Sequence, residues 1–213
     1  MRDYTRFDAY YSELMGDIYP QPVDKGHYVA AQQVITDLVL HFGDCKTVLD
    51  VGCGEAFVQP MFEQRGMAYT GITLGVDYSV ARALGRNVFE GDFNFLPYDD
   101  NQFDLIFSRH SLEHSPFPLL TLMEWHRVSR VGLCVILPNP RHFTYVGRNH
   151  YSVLAYTQAV WLLQRAGWNP VYTMKGTMEL IFYCRKGARI GPEGSRPQGP
   201  PEQEEEWTGS CYF

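Results

Sequence analysis

The sequence has no run of 18 apolar residues, and its first stretch, MRDYTRFDAYYSELMGD, carries no apolar leader. Neither a membrane-spanning helix nor a secretory signal is expected. Cysteine is sparse and badly spaced for metal or disulfide chemistry: five residues, at 45, 53, 134, 184 and 211, with no CxxC pair. An odd, unpaired set argues against a zinc finger or a disulfide scaffold, and free thiols in the reducing cytoplasm are the expectation. Basic charge is also short, with 18 bases against 24 acids and a formal charge of −6. A non-specific nucleic-acid binder needs the opposite balance. No internal repeat is visible, and no P-loop follows any strand-like run.

What is present suits one domain with short extensions, since 213 residues, 45 % of them hydrophobic, can bury a sizeable core. Residues 28–42, YVAAQQVITDLVLHF, place apolar side chains at 31, 34, 35, 38, 39 and 42, the spacing of a helix with one buried stripe. After it, strand-like runs alternate with helical ones. KTVLDVG, MAYTGIT, NVFEGD, FDLIFSR and LCVILPNP read as strands. AFVQPMFEQRG, VDYSVARALGR, PLLTLMEWHRVSR and YTQAVWLLQRAG read as helices, the first delayed or kinked by Pro60. NPVYTMKG and MELIFYCRKG have no helix between them and predict a closing antiparallel pair. The expected fold is α/β, Rossmann-like, with a seven-stranded mostly parallel sheet, one antiparallel strand and helices on both faces. The expected division is a helical cap or lid over 1–44, a core domain over 45–187 and a tail over 188–213. That tail carries four prolines and the run EQEEE, with five acids and two bases. It reads as an extended segment able to contact another protein.

The stretch VLDVGCGEAF, residues 48–57, is the strongest local signal. A strand, then Asp50, Gly52 and Gly54, then a helix, lets backbone approach a ligand and presents free N–H groups to it. The dinucleotide fingerprint is absent, because the pattern continues GCGEAF rather than GxGxxG.

Further motifs follow in order: Gly91–Asp92, Leu96–Pro97–Tyr98, Phe103–Asp104–Leu105–Ile106, Leu112–Glu113–His114, and Glu124 with Arg127 and Val128. With Leu49, Asp50, Gly52, Cys53 and Gly54, this series resembles the class I S-adenosylmethionine-dependent methyltransferases, in particular a small branch with "LDxGCG … LEH" motifs. The resemblance covers residues 45–140 well and 150–185 loosely. It implies S-adenosylmethionine as cofactor, with Asp50, Gly52, Cys53 and Gly54 at its amino-acid end. Asp92 would accept from the adenine amino group, Phe93 would lie beside the ring, and Ser108 and Arg109 would close the pocket. The family's ribose-binding acid at the end of the second strand is missing, and Thr73 stands there. Asp77, four residues on, either takes the ribose diol or caps the next helix.

Methyl transfer to oxygen or nitrogen asks for a base, and histidine suits that need. SRHSLEHSP places His110 and His114 close together, and on a helix they would share a face. His110 is the candidate catalytic residue or substrate contact. The same string matches the inverted zinc-protease pattern HxxEH, but no third ligand is apparent, and no metal is expected. For the acceptor, the polar and aromatic segment 140–152 offers Arg141, His142, Tyr145, His150 and Tyr151. Tyr10, Tyr11, His27 and Tyr28 offer either a lid over the cofactor or plain packing. The DNA amino-methyltransferase tetrad is absent, since SRHS occupies its place. Two functions remain open: a methyltransferase acting on an unidentified small or macromolecular acceptor, or a non-catalytic binding or assembly protein on the same fold.

Overall fold

The structure is a computed structural model that describes residues 3–17, 25–142 and 149–188. Its elements are α1 (Thr5–Met15), α2 (Lys25–Phe42), β1 (Thr47–Val51), α3 (Gln59–Glu63), β2 (Ala68–Thr73), α4 (Gly75–Ala83) and β3 (Val88–Glu90). There follow β4 (Phe103–Arg109), a 3₁₀ turn (Leu112–His114), α5 (Pro118–Val128), β5 (Ser129–Pro138), α6 (Tyr156–Ala166), β6 (Trp168–Lys175) and β7 (Glu179–Lys186). The strands form one seven-stranded sheet in the order β3-β2-β1-β4-β5-β7-β6. β7 runs antiparallel to both β5 and β6, and every other pairing is parallel. The expected architecture, with one reversed strand, is therefore the observed one. Two local expectations change. Pro60 leaves α3 only five residues, 59–63, because its missing N–H is tolerated in the first turn alone. α5 stops at Val128, earlier than its helical pattern suggests, because Ser129 is already paired with Phe103 in the sheet.

Alternation along the strands divides the core into two layers. Val48, Tyr69, Leu105, Phe107, Ile136 and Ile181 face Val34, Ile35, Leu38 and Phe42 of α2 and Met61 and Phe62 of α3. Leu49, Ile72, Ile106, Leu133, Val135 and Phe182 face Leu122 and Trp125 of α5 and Val160 and Leu163 of α6. Each such aliphatic or aromatic side chain contributes on the order of 1.5–3 kcal/mol when fully buried. Trp125 also donates its indole N–H to the carbonyl of Phe93 at 2.9 Å, which ties the loop after β3 to α5.

Two motif residues turn out to be braces. The Asp104 Oδ2 accepts from the backbone N–H groups of Lys46 at 2.8 Å and Thr47 at 3.0 Å, and Arg130 pairs with its other oxygen. Arg127 donates to the carbonyls of Tyr98 at 2.7 Å and Leu96 at 3.0 Å and to Glu124, whose Oε1 in turn accepts from Leu96 N–H at 3.0 Å. The loop between β3 and β4 is thereby clasped to α5.

The order of strands reverses between β1 and β4: the chain winds outward through β2 and β3, then returns to the other side of β1. In open α/β sheets the ligand crevice lies at that reversal, outside the carboxyl ends of the strands. No helix among the described residues is long and apolar enough to cross a membrane.

Burial pushes the Asp104 carboxyl up, but the backbone donors and Arg130 outweigh it and hold it below the usual range. Its stabilisation is thus present above the unfolded carboxylate range and is lost as pH falls through the folded value. Asp104→Ala is expected to lower unfolding free energy by about 1.5–3 kcal/mol at neutral pH. The gap from wild type should shrink in urea titrations run below about pH 4. A gap independent of pH would show that packing, not charge, is what the substitution removes.

Candidate active site

β1 delivers the chain to a turn whose shape only glycine accepts. Gly52 has φ +70 and Gly54 has φ +53. A Cβ on residue 52 would stand 2.4 Å from Ser111 Oγ, so the turn after β1 and the loop after β4 touch at that point. The N–H groups of Gly52 and Cys53 both reach the Ile72 carbonyl, at 2.9 and 3.1 Å, and lock the turn against β2. Two further residues near this turn hold left-handed backbone without being glycine: Ala56 at φ +56 and His110 at φ +53. Such conformations cost of order 1–3 kcal/mol and persist where surrounding structure imposes them.

A cleft of about 160 Å³ opens there. Its walls include Gly52, Cys53 and Gly54, then Thr73 and Asp77, then Phe93, then Arg109 and His110. These eight candidate cofactor and catalytic residues thus meet at one cleft. Three others lie off its walls. Asp50 is buried beneath the turn and accepts from the Tyr69 hydroxyl at 2.7 Å. Ser108 is fully buried, with no hydrogen-bond partner for its hydroxyl. Asp92 is engaged on both oxygens, by the Tyr11 hydroxyl on one and by Asn94 on the other.

The residues expected to meet the acceptor are scattered. Tyr10 is exposed, and Tyr28 packs at 6.4 Å against Phe57, itself a wall of the cleft. Tyr11 stacks on Phe7 and Phe117 and so holds α1 over Asp92. Arg141 and His142 sit on an exposed turn closed by Asn139. Tyr151 donates to the Leu14 carbonyl at 3.1 Å and lines a separate hollow beside Ser12 and Glu13. His150 meets His114 edge-on at 4.9 Å between ring centroids. Tyr145 and residues 189–213 of the tail lie outside the described residues.

One expectation needs correction, and one open alternative is decided. His110 and His114 do not share a helical face: His110 belongs to a left-handed bend, and the 3₁₀ turn begins only at Leu112. Both nevertheless line the cleft, and the helix that the zinc-protease pattern requires is absent at this position. Asp77 is not a helix cap. Leu74 holds that position, and Asp77 lies in the first turn of α4 with its side chain on the cleft wall.

His27, grouped in the sequence with the amino-terminal tyrosines, lines the cleft, and Glu55, Phe57, Ser111 and Asn149, which sequence reasoning missed, add to its walls. Glu179, at the start of β7, was missed as well. Its Oε1 lies 2.7 Å from Arg109 Nη2 and 2.8 Å from His110 Nε2, the latter without the alignment of a hydrogen bond. Burial raises the Glu179 carboxyl, but His110 and Arg109 together overcome this and bring it to about 2. No sequence signal marks this glutamate, because 70 residues separate it from Arg109.

The donor set fits S-adenosylmethionine. The Gly52–Gly54 turn offers bare backbone where a ligand can lie. Arg109 Nε and Asn149 Oδ1 are buried atoms of the wall without a hydrogen-bond partner, one a donor for a carboxylate and one an acceptor. Burial first, then the charge of Glu55, raises the Asp77 carboxyl. Two acids repelling each other on one wall call for a cationic guest. Burial pushes the Cys53 thiol well up, away from the thiolate that a nucleophile needs.

A methyltransferase-domain family model matches residues 49–136. Among curated relatives, the malonyl-[acyl-carrier protein] O-methyltransferase 1 of Coxiella burnetii is 34% identical over 87 residues, which is 40% of this chain and 30% of that protein. The ubiquinone biosynthesis O-methyltransferase of Pseudomonas paraeruginosa is 31% identical over 113 residues, covering 47% of this chain and 48% of that one. The chain therefore spans less than half the length of these relatives. A solved SAM-dependent methyltransferase of Aquifex aeolicus superposes with a TM-score of 0.61 at 23% identity, over 73% of this chain and 89% of that one. The fold is the Rossmann-like fold of methyltransferases. Residues 49–136 therefore carry a methyltransferase domain similar to those of S-adenosylmethionine-dependent methyltransferases, and S-adenosylmethionine is the cosubstrate that this similarity supports.

The buried Asp50 gives a pH signature. Burial raises its carboxyl to about 7, against the opposing pull of the Tyr69 hydroxyl and Arg109. Unfolded, it releases its proton in the usual range near 3.9. Between those values the folded state binds more protons, so stability should fall as pH rises through that window and level off above about 7. Urea titrations of wild type and Asp50→Asn from pH 5 to 8 read this: the variant is expected to lose that part of the slope. Parallel profiles would show that Asp50 ionises normally.

Proposed function

We propose that this chain transfers a methyl group from S-adenosylmethionine to an oxygen or nitrogen nucleophile bound at the mouth of the cleft. The observation that carries the reading is the Gly52–Gly54 turn opening on a cleft at the reversal of strand order. The names of both relatives favour oxygen as the acceptor atom. The cofactor supplies a sulfonium-activated methyl group, which leaves its sulfur as the new bond forms and leaves a neutral thioether behind.

The chain's own part is positioning and proton handling. Gly52, Cys53 and Gly54 bring backbone against the amino-acid end, and Arg109 faces its carboxylate. Asp77 takes the ribose diol, since the two oxygens of a carboxylate can accept both hydroxyl protons and the single hydroxyl of Thr73 cannot. Phe93, held by Trp125 through its own carbonyl, packs beside the adenine. Asp92 meets the adenine amino group once the Tyr11 hydroxyl releases it, so α1 moves as the cofactor enters. The cleft, at about 160 Å³, is below the roughly 300 Å³ at which ligand sites usually begin, which agrees with a site that opens on binding. His110 is the base: with Nε2 turned to Glu179, Nδ1 is left to accept the acceptor's proton.

Isothermal titration with S-adenosylmethionine tests the reading first, with one site per chain expected. Asp77→Asn should weaken that binding about tenfold, roughly 1.4 kcal/mol, with little change in melting temperature. Unchanged affinity would remove Asp77 from the ribose. With an acceptor found by screening for the demethylated cofactor, His110→Ala should lower kcat by roughly 10²–10⁴. Its cofactor affinity should stay within about twofold. A variant turning over at the wild-type rate would show that His110 is not the base, and a wild type that binds no cofactor would end the proposal.

A further inference from the structure

The loop after β4 and the segment that resumes at residue 149 meet beside the cleft at a cluster that the methyl-transfer reading does not use. Glu113, His114 and His150 each offer one ligand atom there, and the three atoms all lie within 4.8 Å of one another. Glu113 is 1% exposed, and its Oε2 has no hydrogen-bond partner. A buried carboxylate oxygen left alone is costly, and a cation satisfies it. His114 is oriented for the task. Its Nδ1 lies 3.1 Å from the carbonyl of Asn149, which can only accept, so Nδ1 carries the hydrogen and Nε2 the lone pair. Metal-binding histidines are commonly fixed this way, with the second nitrogen donating to a backbone carbonyl. The neighbouring His110 is turned to Glu179 and leaves the cluster to these three.

We propose that Glu113, His114 and His150 bind one first-row divalent transition-metal ion. Two imidazoles and a carboxylate suit Zn²⁺, Co²⁺ or Mn²⁺ rather than Mg²⁺ or Ca²⁺, which favour all-oxygen shells. An ion at about 2.0–2.2 Å from each ligand needs the side chains to draw together by about 1 Å. Three protein ligands leave coordination positions open, as in catalytic rather than structural sites. His114 is also a wall of the cleft, so those positions adjoin the mouth where the acceptor binds. An acceptor oxygen there would be polarised and aligned by the ion; this consequence, unlike the ion binding itself, rests on the methyl-transfer reading.

The test uses the purified chain, stripped with chelator and titrated with Co²⁺. One ion per chain is expected, with visible d–d bands, displacement by Zn²⁺ and no thiolate charge-transfer band. Glu113→Gln and His150→Gln should each weaken binding at least tenfold while leaving the circular dichroism spectrum unchanged. A readout that needs no variant is histidine-ring NMR on wild type, where Co²⁺ should shift or broaden the resonances of His114 and His150 first. A wild type that takes up no ion overturns the proposal. So do variants that bind as tightly as wild type, a thiolate band, or broadening centred on other histidines. Titration of the metal-free chain with S-adenosylmethionine reports separately: cofactor binding without Co²⁺ uptake removes the metal site and leaves the methyl-transfer reading standing.

Discussion

The contact between Gly52 and Ser111 is the constraint around which the site is assembled. Because residue 52 has no side chain, that of Ser111 lies directly against its backbone, and the turn after β1 meets the loop after β4 there. Ser111 Oγ donates to the Gly52 carbonyl at 3.2 Å, which fixes the approach from the other side. Everything that follows His110 in the chain is positioned from that contact: the bend, the 3₁₀ turn, and with it Glu113 and His114. The left-handed backbone of His110 is explicable in these terms, since its N–H is committed to the Ile136 carbonyl at 3.0 Å while the next residue is pinned to the glycine turn.

Charge is handled differently on the two sides of the sheet edge. Under Arg109 and His110 a single buried glutamate serves two nitrogen-bearing neighbours, an arrangement in which loss of any partner leaves an uncompensated group. On the opposite wall burial, and then the charge of Glu55, raises the Asp77 carboxyl. One wall thus stabilises a carboxylate and the other disfavours one. α1 adds a third device, since the Tyr11 hydroxyl occupies the Asp92 oxygen that Asn94 leaves available.

Much of this was legible in the sequence for reasons of periodicity. Strand runs such as TVLDV and the stripe of α2 bury side chains at intervals that only one backbone geometry satisfies. The glycine turn was legible because a missing Cβ leaves a mark in the sequence itself. What was not legible depends on separation or on exact dihedrals. The spacing of His110 and His114 reads as one helical turn, yet the bend at His110 breaks it. Asp77 reads equally as a cap, and only the start of α4 at Gly75 decides against that. The grouping of Glu113 and His114 with His150 is invisible locally, since His150 arrives from beyond β5. The motif residues Asp104, Glu124 and Arg127 could be recognised but not interpreted, because their partners are backbone groups that no sequence pattern names.

The reversal of β7 bears on how the chain is made. In the parallel strands the carboxyl end points at the site, but in β7 it is the first residue that does so, and Glu179 stands opposite Pro138 at that edge. Run the other way, an eight-residue strand would carry the same glutamate roughly 25 Å off, to the far side of the sheet. Synthesis proceeds from the amino end, and Arg109 and His110 emerge long before residue 179. Until the β6–β7 hairpin joins β5, Arg109 lacks the carboxylate that its Nη2 meets at 2.7 Å in the folded chain. The nascent sheet is thus chemically unfinished at this edge well after β4 has been made.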